Sequence, residues 1–147
     1  MSGLVYKRRV LVCEDDPAML RIFRFLLQQQ GIGNIFTTPK GEAVPGIAVR
    51  EKPDLILLDL MLPDKDGLTV LKELKSAPTT CDIPVVVVSG KESEQQISQA
   101  LEAGALDYVI KPFDPAEMGL RIRNFLSSLD AAATGATPPD AAAGGPL

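Results

Sequence analysis

The chain has 147 residues, of which 46% are hydrophobic and 23% are charged, and its formal net charge is −4. This length suits one domain with a sizeable core, and the acidic balance argues against direct nucleic-acid binding, which relies on a basic surface. Histidine is absent, which excludes His-based catalytic and metal sites, and the two cysteines form neither a disulfide framework nor a metal-type spacing. Without a signal peptide or a membrane-length apolar run, we expect a cytoplasmic protein.

Five strand-like apolar segments alternate with five segments of helical periodicity. In chain order, the strand candidates are VLVC, NIFTT, DLILLD, IPVVVVSG and DYVIK. Asp16 before Pro17 predicts the start of the first helix, and Asp114 before Pro115 predicts the start of the last. The second helix is weaker because Pro45 falls inside it, so that helix either begins late or is kinked.

This alternation predicts an α/β fold, a parallel sheet with helices on both faces. VLVC, LILL and VVVV are apolar throughout, which is typical of central strands, whereas NIFTT and DYVIK suit the edges. From Asp130 onward the chain is rich in Ala, Gly and Pro and lacks apolar periodicity. We therefore predict a folded domain over residues 1–129 and a flexible tail or linker over residues 130–147.

Polar residues stand at the carboxyl ends of four of the five strand candidates. Glu14 and Asp15 end the first strand, Asp59 the third, Ser89 the fourth and Lys111 the fifth. Ligands of open parallel sheets bind outside the carboxyl ends of the strands, so we predict that these residues form one site. Each residue alone has an ordinary interpretation as a cap, turn or loop residue, but their joint occurrence in this order indicates a site.

The chemistry of this set favours a divalent cation and a phosphoryl group. Three carboxylates about 5 Å apart would repel by roughly 3 kcal/mol per pair at an effective dielectric of about 20, so they need a cation. Oxygen ligands favour Mg²⁺ or Mn²⁺ over zinc. With Lys111 as a mobile positive charge and Ser89 as a hydroxyl donor, the set suits phosphoryl transfer, and Asp59 is the candidate nucleophile.

The segments VLVCEDDP, LILLDLMLPDKDG, VVVVSGK and DYVIKPF resemble, in order and spacing, the receiver domain of bacterial two-component response regulators. The resemblance covers about residues 8–129 and implies a flavodoxin-like (βα)₅ doubly wound sheet of strand order 2-1-3-4-5. It implies a phosphorylation-dependent switch that accepts a phosphoryl group from the phosphohistidine of a histidine kinase. Such a domain is not a dedicated enzyme, although its phosphotransfer and autodephosphorylation are self-catalysed.

The resemblance also implies roles for individual residues. Asp59 resembles the phospho-acceptor, Lys111 the phosphate-binding lysine, Ser89 the switch hydroxyl and Tyr108 the aromatic switch residue. On phosphorylation, Ser89 would turn toward the phosphoryl oxygens and Tyr108 would move inward. This change would shift the face formed by the fourth helix, the fifth strand and the fifth helix. The Lys111–Pro112 bond is cis in this family.

For the metal, the resemblance implies a shell of four groups. Asp15 would bind Mg²⁺ directly, Glu14 would act through water, and Asp59 and the backbone carbonyl of Met61 would complete the shell. The family often has Asp where this chain has Glu14, a departure that bears on metal affinity. The implied macromolecular partners are a sensor histidine kinase or a histidine phosphotransfer protein, a second copy in a phospho-dependent homodimer, and an output domain C-terminal to residue 130.

Three alternatives remain open at this point. A Mg²⁺-dependent phosphatase with an aspartate nucleophile, of the haloacid dehalogenase type, needs a second Asp where this chain has Met61. A flavin-binding module needs a Ser/Thr/Gly phosphate loop where this chain has CEDDP. A receiver-like interaction module that is never phosphorylated needs none of the acids, Ser89 or Lys111.

Other polar residues near the site have simpler interpretations. Asp64 and Asp66 flank a turn before Gly67, and we interpret both as turn residues. Met61 and Lys91 flank the expected path of water to the phosphoryl group, and we hypothesise that they set its lifetime.

Overall fold

The computed structural model describes residues 7–133, with side chains described as far as residue 129. The strands are β1 (Arg9–Cys13), β2 (Asn34–Thr38), β3 (Leu55–Leu58), β4 (Val85–Ser89) and β5 (Asp107–Ile110). The α-helices are α1 (Pro17–Gln29), α2 (Val44–Glu51), α3 (Gly67–Ser76), α4 (Glu94–Glu102) and α5 (Pro115–Ala133). The alternation of strands and helices that the sequence predicts is therefore confirmed.

The five strands form one parallel sheet in the order β2-β1-β3-β4-β5, which confirms the predicted flavodoxin-like topology. NIFTT and DYVIK lie at the edges, as predicted. The register sets Cys13 beside both Thr38 and Leu58, so that β1, β2 and β3 end level with one another. Residues that follow these strands therefore share one edge of the sheet.

Both faces of the sheet are buried, because successive side chains along a strand point to opposite sides. Toward one side, the strands contribute the buried residues Leu11, Cys13, Ile56, Leu58, Val85 and Val87, which pack with residues of α2, α3 and α4. Toward the other side, they contribute Val10, Val12, Leu55, Leu57, Val86 and Val88, which pack with residues of α1 and α5. The helices thus cover the sheet on both faces, as in a doubly wound fold.

The helix starts follow the capping signals in the sequence. Asp16 caps α1, since its Oδ1 accepts a hydrogen bond from the Ala18 amide at 3.0 Å. The second helix begins late, because a 3₁₀ turn over Gly41–Ala43 precedes it and Pro45 lies in its first turn. A proline there is tolerated because the amides of the first turn have no partner within the helix.

The last helix runs to Ala133, beyond the boundary at residue 129 that the sequence predicts. Residues 134–147, where most of the predicted tail falls, lie outside the described residues, and the tail remains a prediction. Within the described part of the chain, no helix has both the length and the apolar character to cross a membrane.

Candidate functional site

Three carboxylates meet at the carboxyl edge of the sheet. Glu14 and Asp15 follow β1, Asp59 follows β3, and one oxygen from each of the three lies within 4.8 Å of the others. The pairing of β1 with β3 explains the approach, since the Asp59 amide donates to the carbonyl of Cys13 at 3.1 Å. Two of these acids are buried, with Glu14 exposed by 1% and Asp59 by 5%, whereas Asp15 is exposed.

Lys111 lies against two of these acids. Its Nζ donates to Glu14 Oε1 at 2.5 Å and to Asp59 Oδ2 at 3.1 Å. Burial alone would lower the pKa of Lys111, but the bond from its ammonium to Glu14 and the charge of Asp59 outweigh burial, so the pKa is raised. Burial also raises the pKa of Glu14, against the opposing effect of its bond from Lys111. Lys111 therefore neutralises part of a cluster that keeps an excess of negative charge.

Ser89 and Tyr108 are both tied to the backbone of Lys91, on the loop between β4 and α4. Ser89 is fully buried, and its Oγ accepts a hydrogen bond from the Lys91 amide at 3.2 Å. Tyr108 is buried as well, and its hydroxyl donates to the Lys91 carbonyl at 2.5 Å. Burial raises the pKa of Tyr108. One residue thus links the predicted switch hydroxyl to the predicted aromatic switch, with the tyrosine ring directed inward.

The cluster opens on a cleft of about 590 Å³. Asp15 and Lys91 line this cleft, together with every residue of the segment from Leu60 to Asp66, which includes Met61. The Met61 amide donates to Asp59 Oδ1 at 2.9 Å, while the Met61 side chain is 54% exposed. Met61 and Lys91 therefore line the cleft next to the acidic cluster, and the hypothesis that they set the lifetime of a phosphoryl group stays a prediction.

The two other acids of the segment after β3 have different partners. Asp66 caps α3, since its Oδ1 accepts from the Leu68 amide at 3.2 Å, in agreement with the turn interpretation. That interpretation is incomplete for Asp64, whose carboxylate accepts from the amides of Gly41 and Glu42. The partners lie more than twenty residues earlier in the chain, so no local sequence pattern indicates this contact.

Residues 10–123 match the protein family described as "Response regulator receiver domain". The chain belongs to the response regulator receiver domain family. The resemblance inferred from the sequence is thus confirmed, together with the fold and the general function that it implies, a phosphorylation-dependent signalling switch of two-component systems. The cis Lys111–Pro112 bond expected for a receiver domain is present.

The receiver domain is similar to parts of longer bacterial regulators. It is 40% identical over 124 residues to the DNA-binding dual master transcriptional regulator RpaA of Synechocystis sp. (strain ATCC 27184 / PCC 6803 / Kazusa), a match that covers 83% of this chain and 50% of RpaA. The chain spans about half the length, or less, of the curated relatives that it matches.

Solved receiver structures have the same fold. The BeF3-activated N-terminal receiver domain of Klebsiella pneumoniae RstA is 33% identical, with a TM-score of 0.73 and coverage of 81% of this chain and 98% of that chain. The Mn(2+)-bound form of response regulator Rcp1 is 29% identical, with a TM-score of 0.71 and coverage of 82% and 92%.

Proposed function

We propose that Asp59 is the phospho-acceptor of this receiver domain. The observation that carries the proposal is the setting of its carboxylate, which is buried beside Glu14 and Asp15 and accepts a hydrogen bond at each of its two oxygens. The Met61 amide donates to Oδ1, and Lys111 donates to Oδ2. A carboxylate oxygen would attack phosphorus, the bond from phosphorus to the imidazole nitrogen of a phosphohistidine would break, and its electron pair would leave with the imidazole.

The acidic cluster fits a hard divalent cation, Mg²⁺ or Mn²⁺. Its three carboxylates lie within 4.8 Å of one another, and Lys111 bonds to only two of them, which leaves Asp15 facing the cleft. We assign Asp15 as a direct ligand, Glu14 as a ligand through water, and Asp59 with the Met61 carbonyl as the remaining groups. When bound, the cation would neutralise charge that develops on the transferred phosphoryl group. The Mn(2+)-bound form of response regulator Rcp1, a similar structure, supports a divalent cation at this site.

Lys111 and Ser89 would hold the phosphoryl oxygens. Lys111 already lies 3.1 Å from Asp59 Oδ2 and would follow the phosphoryl group as a point charge. Ser89 Oγ would release the Lys91 amide and donate to a phosphoryl oxygen instead. Since Tyr108 bonds to the carbonyl of the same Lys91, a rearrangement at Ser89 would reach the tyrosine and favour one packing of the α4–β5–α5 face over another.

The proposed partners follow from the family and from the surface. The phosphoryl donor would be a sensor histidine kinase or a histidine phosphotransfer protein that docks near α1. A DNA-binding output domain C-terminal to residue 130 would correspond to the part of RpaA that this chain does not span. Leu101, Leu106 and Leu120 are exposed on or beside the α4–β5–α5 face and would support a phospho-dependent homodimer. Both cysteines are free thiols, which supports a cytoplasmic location.

Incubation with Mg²⁺ and acetyl phosphate, followed by intact mass measurement, tests the proposal. We expect one base-labile phosphoryl group on the wild-type chain and none on Asp59→Asn. Asp66→Asn is the matched control, because it changes another acid of the same segment and should leave phosphorylation intact. Equal modification of the Asp59→Asn variant would refute the assignment.

The same experiment separates the alternatives. An interaction module that is never phosphorylated would gain no mass in either chain. A phosphatase would release inorganic phosphate from unrelated phosphate esters at a sustained rate, yet Met61 occupies the position of the acid–base aspartate that this chemistry requires. We expect no such release.

A further inference from the structure

Asp64 ties the loop that follows β3 to the loop that follows β2. Its Oδ1 accepts a hydrogen bond from the Gly41 amide at 2.9 Å, and its Oδ2 accepts one from the Glu42 amide at 3.1 Å. These amides begin the 3₁₀ turn that leads into α2, where N–H groups have no partner within the helix. The bonds from Glu42 and Gly41 hold the pKa of Asp64 below its usual value, which indicates that the tie is made by the carboxylate.

The two loops are also in close steric contact. Gly41 is buried, and a Cβ atom added to it would lie 2.9 Å from Leu62 Cδ1 and 3.0 Å from Val70 Cγ2. Leu62 belongs to the loop after β3, and Val70 belongs to α3. The two loops are therefore tightly packed at Gly41, where an added Cβ would press on the side chains of Leu62 and Val70, and this contact is independent of the charge on Asp64.

The loop tied in this way carries groups that face the phospho-acceptor. At its base, the Met61 amide donates to Asp59 Oδ1, and the Gly67 amide donates to the Leu60 carbonyl at 3.0 Å. A Cβ added to Gly67 would lie 2.5 Å from the Asp59 carbonyl oxygen, so this end of the loop is packed against the acceptor residue. Asp64 holds the middle of the loop, which lines the open cleft on its other side.

We propose that Asp64 is a positioning residue for phosphoryl transfer: it fixes the loop after β3 so that the Met61 backbone stays aligned with the Asp59 carboxylate. This inference rests on the role proposed above for Asp59. Asp64 is exposed, so water can replace its carboxylate at the two amides, and its loss should cost the fold little. Loss of alignment, in contrast, is costly for a reaction that depends on geometry.

Three variants test the inference. Asp64→Ala removes the tie, and Gly41→Ala inserts a methyl group where the two loops pack closely, without changing the charge. Glu42→Gln is the matched control, because it removes a neighbouring negative charge and keeps both amides that bond to Asp64. In metal-free protein, we expect hydrogen exchange of the Met61 amide, followed by NMR, to rise about tenfold in the first two variants and to stay unchanged in the control.

Phosphorylation by acetyl phosphate with Mg²⁺ provides the second measurement. We expect the rate constant to fall about tenfold in Asp64→Ala and Gly41→Ala, with little change in Glu42→Gln. Asp64→Asn keeps one acceptor oxygen, so its phosphorylation rate constant should lie between those of Asp64→Ala and the wild type. If Gly41→Ala fails to fold, this intermediate rate supports the positioning role of Asp64 in its place. Thermal unfolding of Asp64→Ala should remain close to that of the wild type.

Two results would overturn the inference. One is an unchanged Met61 exchange rate in Asp64→Ala, and the other is an equal loss of phosphorylation rate in Glu42→Gln, which would indicate a charge effect. Failure of the proposed function would give a different result, since the wild-type chain itself would then gain no phosphoryl group. In that event, the exchange measurement alone decides whether Asp64 positions Met61.

Discussion

The two ends of the β-sheet both gather charged side chains, but they balance those charges differently. At the amino end, the Arg9 side chain donates to the carbonyl and the carboxylate of Glu51 and lies over the ring of Phe36. Asp54 accepts hydrogen bonds from the Arg8 side chain and from the Arg9 amide. Each of these two acids thus accepts a hydrogen bond from an arginine side chain, so its negative charge is balanced by a neighbouring positive charge.

At the carboxyl end, the balance is incomplete. Lys111 bonds to Glu14 and Asp59. Asp15, the third acid of the cluster, instead lines the cleft. Repulsion among gathered carboxylates opposes folding unless a further cation is supplied. At the amino end, the charges are balanced by residues of the folded chain itself, whereas the carboxyl end keeps a deficit of positive charge that a ligand can fill.

Removal of Lys111 should give the largest effect on stability. In Lys111→Met, the buried acids Glu14 and Asp59 lose the cation that bonds to both of them. We expect the free energy of unfolding in EDTA to fall by about 3 kcal/mol, because one partner of a buried pair is lost. Added Mg²⁺ should restore more stability to this variant than to the wild type. Urea unfolding with and without Mg²⁺ measures both quantities.

Lys65→Met is the matched control for that measurement. Lys65 pairs with Glu73 at 2.7 Å on the surface, where an ion pair contributes about 0.5 kcal/mol or less. If the two variants lose equal stability, or if Mg²⁺ has no additional effect on Lys111→Met, then the carboxyl end carries no unbalanced negative charge.

The matching test at the amino end is Lys75→Met. The Lys75 ammonium donates to the carbonyls of Cys81 and Ile83, at 3.1 and 2.7 Å, just before β4 begins. We expect a loss of about 2 kcal/mol, since two carbonyls lose a charged donor at a partly exposed site. The loss should be the same with and without Mg²⁺, and the phosphorylation rate of the folded variant should be unchanged. A loss that depends on Mg²⁺ would contradict the idea that only the carboxyl end has an unbalanced charge for a cation to neutralise.

The open side of the carboxyl end should control the lifetime of the phosphoryl group. Met61 and Lys91 line the cleft, so the double variant Met61→Ala/Lys91→Ala should admit water to the phosphoryl group more readily. We expect dephosphorylation to accelerate by about tenfold, or about 1.4 kcal/mol in activation free energy. The mass of phosphorylated protein, followed in time after acetyl phosphate is removed, measures the rate.

The backbone of Lys91 remains in that double variant, so its bonds to Ser89 and Tyr108 should persist. Val49→Ala controls for the loss of an exposed apolar side chain at a different place, on α2. An unchanged lifetime in the double variant would reject the hypothesis that these residues set it.

The fold could be predicted because its signals are local. Continuous apolar runs such as LILL and VVVV are typical of strands that are buried on both faces. Asp16 followed by Pro17 indicates a helix start, because Asp caps the free amides and Pro fits the first turn. The grouping of Glu14 and Asp59 was equally predictable, since parallel strands place the residues that follow them at one edge. These inferences need only the order of residues and the geometry of a parallel sheet.

The remaining features depend on contacts that sequence order does not encode. The bonds from Gly41 and Glu42 to Asp64 join loops far apart in the chain. The link from Ser89 to Tyr108 passes through backbone atoms of Lys91, which any residue type would supply. Such contacts are set by how the helices and loops pack, so they became visible only in the folded chain.

The smallest expected effect concerns pH at the amino end. Hydrogen bonds from Arg50 and then from Arg9 hold the pKa of Glu51 below its usual value of 4.5, so the folded state favours the carboxylate. As the pH falls, the unfolded chain binds this proton first. The stabilisation is therefore present above about pH 4.5 and is lost as the pH falls through the lower pKa of the folded state.

The variant Glu51→Gln lacks this titration. The difference in free energy of unfolding between the wild type and Glu51→Gln should be positive at neutral pH and should shrink toward zero as the pH falls below 4.5. Urea unfolding of both chains across this range measures the difference, and Glu92→Gln, a change at an exposed acid elsewhere, controls for the loss of one negative charge. A difference that stays constant with pH would show that Glu51 stabilises the amino end through packing, and the contrast with the carboxyl end would then no longer be one of charge balance.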